Sequence, residues 1–204
     1  VGAPSWDMAP NGGSIKYEFV SWEHIYELAL KLAAEIEKRG AHYDCIVGVS
    51  RGGLIPARLL SDLLNLRELY VVGVVYYLEA GRRAGNPVIT LPVQGEVRGK
   101  RVLLADDVAD SGDSLRVAKE HLRLAGASSI ATATLYCKPW SRLKPDFFAE
   151  TTEAWIVFPW ERMEFTLEKV KREGYQVLDS IGLDARVRDA LRELIAHTRK
   201  SLNR

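Results

Sequence analysis

The sequence predicts an α/β domain: a central, mostly parallel sheet covered by helices on two sides. Three observations predict it. Short runs such as CIVGVS at 45–50 and SIATATLYC at 129–137 are nearly all apolar, as strands buried on both faces are. Segments with apolar residues at helical spacing alternate with them. The 204 residues suffice for one such domain with a real core and small additions, and no internal repeat or low-complexity tract interrupts them.

The elements follow in order. Residues 1–14 form a flexible lead, 15–164 the main domain and 165–204 a C-terminal helical appendage. Ser21 is a candidate N-cap for a helix carrying Trp22, Ile25, Leu28, Ala29, Leu32 and Ile36, which Gly40 stops. CIVGVS is a strand; RGG then turns the chain into a helix with Leu54, Ile55, Ala57, Leu60 and Leu63 on it. LYVVGVVYYL at 69–78, RVLLA at 101–105, SIATATLYC and AWIVF at 154–158 supply four more strands, and Ser114 to Ala125 a helix closed by Gly126. Residues 79–99, rich in Gly, Pro and Arg, are expected to be a mobile lid with a small hairpin around Val88–Leu91, because long structureless loops in compact domains are uncommon and usually functional.

Composition narrows the function. A hydrophobic fraction of 47% with 27% charged residues matches soluble globular proteins, and no apolar run is long enough to span a bilayer, so no membrane partner is expected. A net charge of +1 lacks the basic footprint of a nucleic-acid binder. The N-terminal lead has no charged start followed by an apolar stretch, which makes cytoplasm the expected location. Cys45 and Cys137 lie in apolar runs and read as small buried hydrophobes, and the four histidines are scattered.

Chemistry concentrates in VLLADDVADSGDSL, 102–115. An apolar run ends in Asp106 and Asp107; Val108, Ala109 and Asp110 follow, then Ser111, Gly112, Asp113 and Ser114 open a helix. In open parallel sheets, ligands bind outside the carboxyl ends of the strands. Backbone N–H groups at a helix start, two hydroxyls and an unobstructed Gly112 make a cup for phosphate. Carboxylates beside phosphate need neutral donors or an intervening cation, which sugar hydroxyls and Mg²⁺ provide. A phosphorylated ribose answers both demands. A receiver-domain phosphoacceptor cluster or plain N-capping would explain parts of this pattern, but not all of it.

The stretch resembles the 5-phosphoribosyl-1-pyrophosphate (PRPP) motif of type I phosphoribosyltransferases, with Ser111 and Ser114 where threonine is common. Two further matches resemble the 6-oxopurine branch of that family, the xanthine-guanine and hypoxanthine enzymes of archaea and bacteria: Ser50-Arg51-Gly52-Gly53 after a strand, and YCKPW at 136–140 followed by EAWIVFPWE at 153–161. The resemblance implies the type I fold with a mobile lid and a small base-binding hood. It also implies PRPP and a purine base as substrates, Mg²⁺ held at Asp106 and Asp107, and an assembly of two or four identical chains. By motif, residues 106–114 bind PRPP, while Ser50, Arg51, Gly52 and Gly53 bind pyrophosphate in a loop that in this family can hold a cis peptide. Arg51 and Asp110 take part in catalysis, Asp110 as acid or base near purine N7. Lys138 reads O6, Trp155 stacks on the ring and Ile156 meets the base edge. The lid departs from the family pattern, with Tyr76-Tyr77 at its start where many relatives carry Ser-Tyr; Arg82 and Arg83 are expected, as cations within the lid, to close over pyrophosphate and exclude water. Transfer to adenine, uracil or orotate, and a non-catalytic PRPP-sensing regulator, are the alternatives. Lys138-Pro139 and Trp155 argue against other bases, and no separate nucleic-acid-binding domain is expected.

Overall fold

The computed structural model describes residues 16–77, 86–179 and 183–202. In chain order its elements are β1 (Tyr17–Phe19), α1 (Trp22–Lys38), β2 (Cys45–Ser50), α2 (Leu54–Leu63), β3 (Leu69–Tyr77), β4 (Asn86–Leu91), β5 (Arg101–Ala109), α3 (Asp113–Leu124), β6 (Ser129–Cys137), β7 (Phe147–Thr151), β8 (Trp155–Val157), α4 (Arg162–Glu173), a 3₁₀ turn (Tyr175–Asp179) and α5 (Ala185–Leu202). Glu23–Glu153 form one compact unit; the described parts of Ser14–Trp22 and Ala154–Arg204 form a second.

The first unit is built on a six-stranded sheet in the order β4-β3-β2-β5-β6-β7. Every pairing is parallel except that of β4 with β3. The near-uniform burial of β2 and of Val102–Asp107 explains their unbroken apolar character: both faces of these strands are covered. α1 buries Ile25, Leu28, Ala29, Leu32, Ala33 and Ile36, and each buried Leu or Ile contributes about 1.5–3 kcal/mol. α3 turns Leu115, Ala118 and Leu122 into a cluster with Val47, Val49, Val72, Val102 and Leu104. Cys45 and Cys137 are free thiols buried in that same cluster.

The structure departs from the sequence expectations at several strands. The hairpin expected around Val88–Leu91 is made with β3 rather than within the lid: Asn86–Leu91 adds an antiparallel edge strand to β3, with Pro87 on the edge, where it breaks no internal ladder. AWIVF is not the fifth strand of the main sheet. Its central residues, β8, pair only with β1 in a separate two-stranded parallel sheet in the second unit, because β7 takes the place beside β6. β5 runs four residues further than expected, so Asp106 and Asp107 lie inside the strand rather than after it.

The second unit carries β1, β8, α4, the 3₁₀ turn and α5. Phe165 of α4 meets the edges of the Tyr17 and Phe19 rings, with centroids 5.1 and 5.5 Å away, and Arg162 donates to the Val20 carbonyl at 2.8 Å. Among the described residues no helix is long and apolar enough to cross a membrane.

Candidate active site

The strand order locates the site before any side chain is considered. From β2 the chain passes to β3 on one side, and it later returns to place β5 on the other. This reversal opens a crevice at the carboxyl ends of β2 and β5. The ladder shows the opening: β2 pairs with β5 only as far as Gly48–Ala105, whereas β6 accompanies β5 to Ala109–Cys137. Residues 106–109 therefore have a sheet neighbour on one side and, on the other, the loop into which β2 has turned.

That loop is Ser50-Arg51-Gly52-Gly53, and the Ser50–Arg51 peptide is cis. Both glycines are required by close approach. A Cβ at Gly52 would fall within the Asp107 carboxylate, 2.5 Å from Cγ and 2.8 Å from Oδ1. At Gly53 it would meet backbone instead, at 2.5 Å from the Ala105 carbonyl oxygen and 2.6 Å from that of Val49. The sequence stretches read separately as sugar-binding acids and a pyrophosphate loop are thus in van der Waals contact. Asp106 and Asp107 are each about 7% exposed. Each carboxylate accepts the amide of the residue after it, Asp107 N–H to Asp106 Oδ1 at 3.0 Å and Val108 N–H to Asp107 Oδ1 at 2.8 Å. These local bonds let two acids remain in a buried strand end.

Beyond Ala109 the chain turns at Ser111-Gly112 into the start of α3, where the sequence expects a cup. Gly112 caps α3 with φ 82°, a conformation only glycine adopts easily, and a Cβ there would strike Leu143 N and Cβ at 2.8 Å. Ser111 Oγ accepts the Asp113 amide at 3.2 Å; the other leading amides of α3 have no intrahelical carbonyl to bond. Tyr76, at the end of β3, joins the hydroxyl group: Ser114 Oγ donates to its oxygen at 3.2 Å, and Ser111 Oγ lies 3.5 Å away. The Asp113 carboxylate is drawn off to Arg116 and Arg142, at 3.6 and 3.9 Å.

Lys138 approaches from β6. Its amide donates to the Ala109 carbonyl at 2.9 Å, and the side chain is about 6% exposed, with Nζ 5.6 Å from the centre of the Trp140 ring. Trp140 Nε1 donates to Asp110 Oδ1 at 2.8 Å. The first unit therefore brings Arg51, Gly52, Gly53, Asp106–Ser114 and Lys138 to one end of the sheet. Trp155 and Ile156 sit on β8 in the second unit, where Trp155 N–H donates to the Lys16 carbonyl at 2.7 Å and Ile156 is buried. Arg82 and Arg83 lie outside the described residues.

Similarity to known proteins agrees with this geometry. Residues 18–162 match the family model described as a phosphoribosyl transferase domain. The chain belongs to this family. The xanthine-guanine phosphoribosyltransferase of Idiomarina loihiensis is 33% identical over 145 residues, 70% of this chain and 86% of that protein. The enzyme of the same name from Gluconobacter oxydans is 29% identical over 164 residues, 79% of this chain and 95% of its own. Among solved structures, a purine phosphoribosyltransferase from Pyrococcus horikoshii superposes with a TM-score of 0.64 at 39% identity, covering 72% of this chain and 94% of its own.

Tyr76 and Trp140 are site residues to which the sequence alone assigned no role. Trp140 carries a signal, since it directly follows Lys138-Pro139, and Tyr76 carries one in the Tyr76-Tyr77 pair at the start of the expected lid. Among the described residues, no cluster of three or more His, Cys, Asp or Glu side chains could hold a metal. The oxygen donors at Asp106 and Asp107 still suit a hard cation that is completed by substrate phosphates and water.

Proposed function

We propose that the protein is a purine-salvage phosphoribosyltransferase that joins guanine, hypoxanthine or xanthine to PRPP, giving the nucleoside monophosphate and pyrophosphate. One observation carries this reading: Gly52 of the Ser-Arg-Gly-Gly loop lies against the Asp107 carboxylate, at the crevice where β2 and β5 diverge. A ligand carrying both a sugar and a diphosphate meets both groups there. The names of the relatives support purine bases as acceptors.

In the proposed reaction, purine N9 forms a bond to ribose C1 as the C1–oxygen bond to pyrophosphate breaks. The cup at Ser111–Ser114 holds the 5-phosphate through backbone amides and hydroxyls, and Asp106 and Asp107 accept from the ribose hydroxyls. Arg51 and the amides of Gly52 and Gly53 oppose the charge that develops on the leaving oxygens. Asp110 exchanges a proton at N7. Lys138, a donor with no acceptor, bonds the O6 carbonyl and would leave an adenine amino group unsatisfied. The stacking role of Trp155 and the edge contact of Ile156 rest on motif alone, and the closing role of Arg82 and Arg83 on their charge within the expected lid. Asp106 and Asp107 are the residues proposed to hold Mg²⁺, which supplies positive charge to the pyrophosphate oxygens when bound with PRPP. A homodimeric or homotetrameric assembly also rests on the resemblance, and a cytoplasmic location on the sequence pattern of the N-terminal lead.

The test is PRPP-dependent nucleotide formation with guanine, hypoxanthine, xanthine, adenine, uracil and orotate, each with Mg²⁺ and with excess EDTA. Activity confined to the first three bases and abolished by EDTA is expected. Turnover of adenine, uracil or orotate in preference would overturn the base assignment, and no turnover of any base would overturn the enzyme.

A further inference from the structure

We infer that Trp140 is a positioning residue that holds the Asp110 carboxylate in its working orientation and couples it to the ammonium of Lys138. This inference rests on the proposed role of Asp110. Two facts motivate it. Asp110 is exposed, and the bond from Trp140 Nε1 to its Oδ1, at 2.8 Å, is the one bond its carboxylate makes among the described residues. An exposed aspartate otherwise samples several rotamers. A bond to an ionised acceptor is stronger than a neutral one and suits a clamp.

The backbone beneath this pair is already fixed. Lys138 N–H donates to the Ala109 carbonyl at 2.9 Å and Arg142 N–H to that of Ser111 at 3.0 Å, so the turn at 138–142 is tied to the loop on both sides of Asp110. Ser141 N–H closes the turn on the Lys138 carbonyl at 3.0 Å. The indole adds side-chain order to a rigid main chain. Its ring also faces Lys138 Nζ, 5.6 Å from the centroid, within cation–π range. One indole therefore contacts both groups assigned to the purine: the ammonium for O6 and the carboxylate for N7. O6 and N7 project from neighbouring positions of a purine, so a single rigid plane that touches both partners can set their spacing.

Trp140→Phe keeps an aromatic face for Lys138 and removes only the N–H donor. Trp140→His restores a ring N–H on a smaller side chain. Because Trp140 is 43% exposed, neither change opens a core cavity, and the melting temperature of each variant checks this. kcat and KM for PRPP and hypoxanthine are measured for wild type, Trp140→Phe, Trp140→His, Asp110→Ala and the double variant Trp140→Phe/Asp110→Ala. The expected result is a roughly tenfold fall in kcat for Trp140→Phe, with KM for PRPP within about twofold, and partial recovery for Trp140→His. In the Asp110→Ala background, Trp140→Phe should cause no further loss, since there is no carboxylate left to hold. An unchanged kcat for Trp140→Phe, or the same loss with and without Asp110, would refute the inference and leave the role of Asp110 standing. An unimpaired Asp110→Ala enzyme would refute both.

Discussion

Gly52→Ala separates folding from function in a way the structure makes quantitative. The added Cβ would stand 2.5 Å from Asp107 Cγ and 2.8 Å from Oδ1. Carbon atoms not bonded to each other rest at about 3.5–4.0 Å, so the carboxylate must withdraw by about 1 Å or more. It is the end of a side chain and can do so, and the backbone at Gly52 is not left-handed, so its φ does not exclude alanine. Stability should fall by less than about 1 kcal/mol, which is a melting-point change of less than about 4 °C for a domain of this size. Turnover should fall far more, by about 100-fold, since an ångström of misplacement at a reacting site costs that much. Gly53→Ala is the contrast, because its Cβ would strike backbone oxygens at 2.5 and 2.6 Å. Overpacking of this kind costs about 1–3 kcal/mol, so it should melt several degrees lower. The assay is a thermal melt beside steady-state kinetics with varied PRPP. A Gly52→Ala enzyme with wild-type kcat/KM for PRPP would refute the argument that the Asp107 position matters, and one that melts as low as Gly53→Ala would refute the claim that the carboxylate yields.

Other predictions follow from single interactions. Lys138→Met should lower kcat/KM for hypoxanthine about 10- to 100-fold, the worth of a charged hydrogen bond, with KM for PRPP little changed; steady-state kinetics with each substrate varied would show it. Asp44 is held at about 2 by Arg101, which donates to it from side chain and backbone at 2.7–3.1 Å. Its carboxyl thus titrates lower folded than unfolded, so the contribution of this pair is complete above about pH 4 and disappears as pH falls through 2. The stability difference between wild type and Asp44→Asn, measured by denaturant unfolding from pH 6 to pH 2, should shrink over that interval. Burial pushes the Cys45 thiol up to about 11 and raises that of Cys137, so neither should react with a thiol reagent at pH 8 until guanidinium unfolds the chain.

Much of this architecture was legible because buried parallel strands leave a pattern that surface strands do not. CIVGVS is apolar for lack of any wet face, LYVVGVVYY and SIATATLYC are buried over Val72–Val74 and Thr132–Cys137, and the bounds of all three were nearly right. β7 was not legible: Phe148 is exposed beside buried Phe147 and Ala149, and Glu150 interrupts the apolar character of an edge strand. AWIVF read correctly as strand but not as to partner, since periodicity reports which faces are buried and not what pairs alongside. Adjacent aspartates normally signal a strand end. Here β6 continues the ladder past them while their carboxylates accept the following amides, so β5 survives to Ala109. The site residues announced themselves through spacing within a loop. Contact between segments distant in the chain, such as Asp107 over Gly52 or the Trp140 indole on Asp110, depends on β2 and β6 lying on either side of β5, which nothing local in the sequence encodes.

The central claim is that the amides and hydroxyls of Ser111–Ser114 hold the 5-phosphate of PRPP while Asp106 and Asp107 hold its ribose. A crystal structure of the complex with PRPP and Mg²⁺ tests it most directly. The account predicts phosphate oxygens about 2.7–3.2 Å from the α3 amides, ribose hydroxyls on the two carboxylates, and pyrophosphate over Gly52 and Gly53. PRPP bound elsewhere, or bound in this crevice with its 5-phosphate away from Gly112, would contradict it.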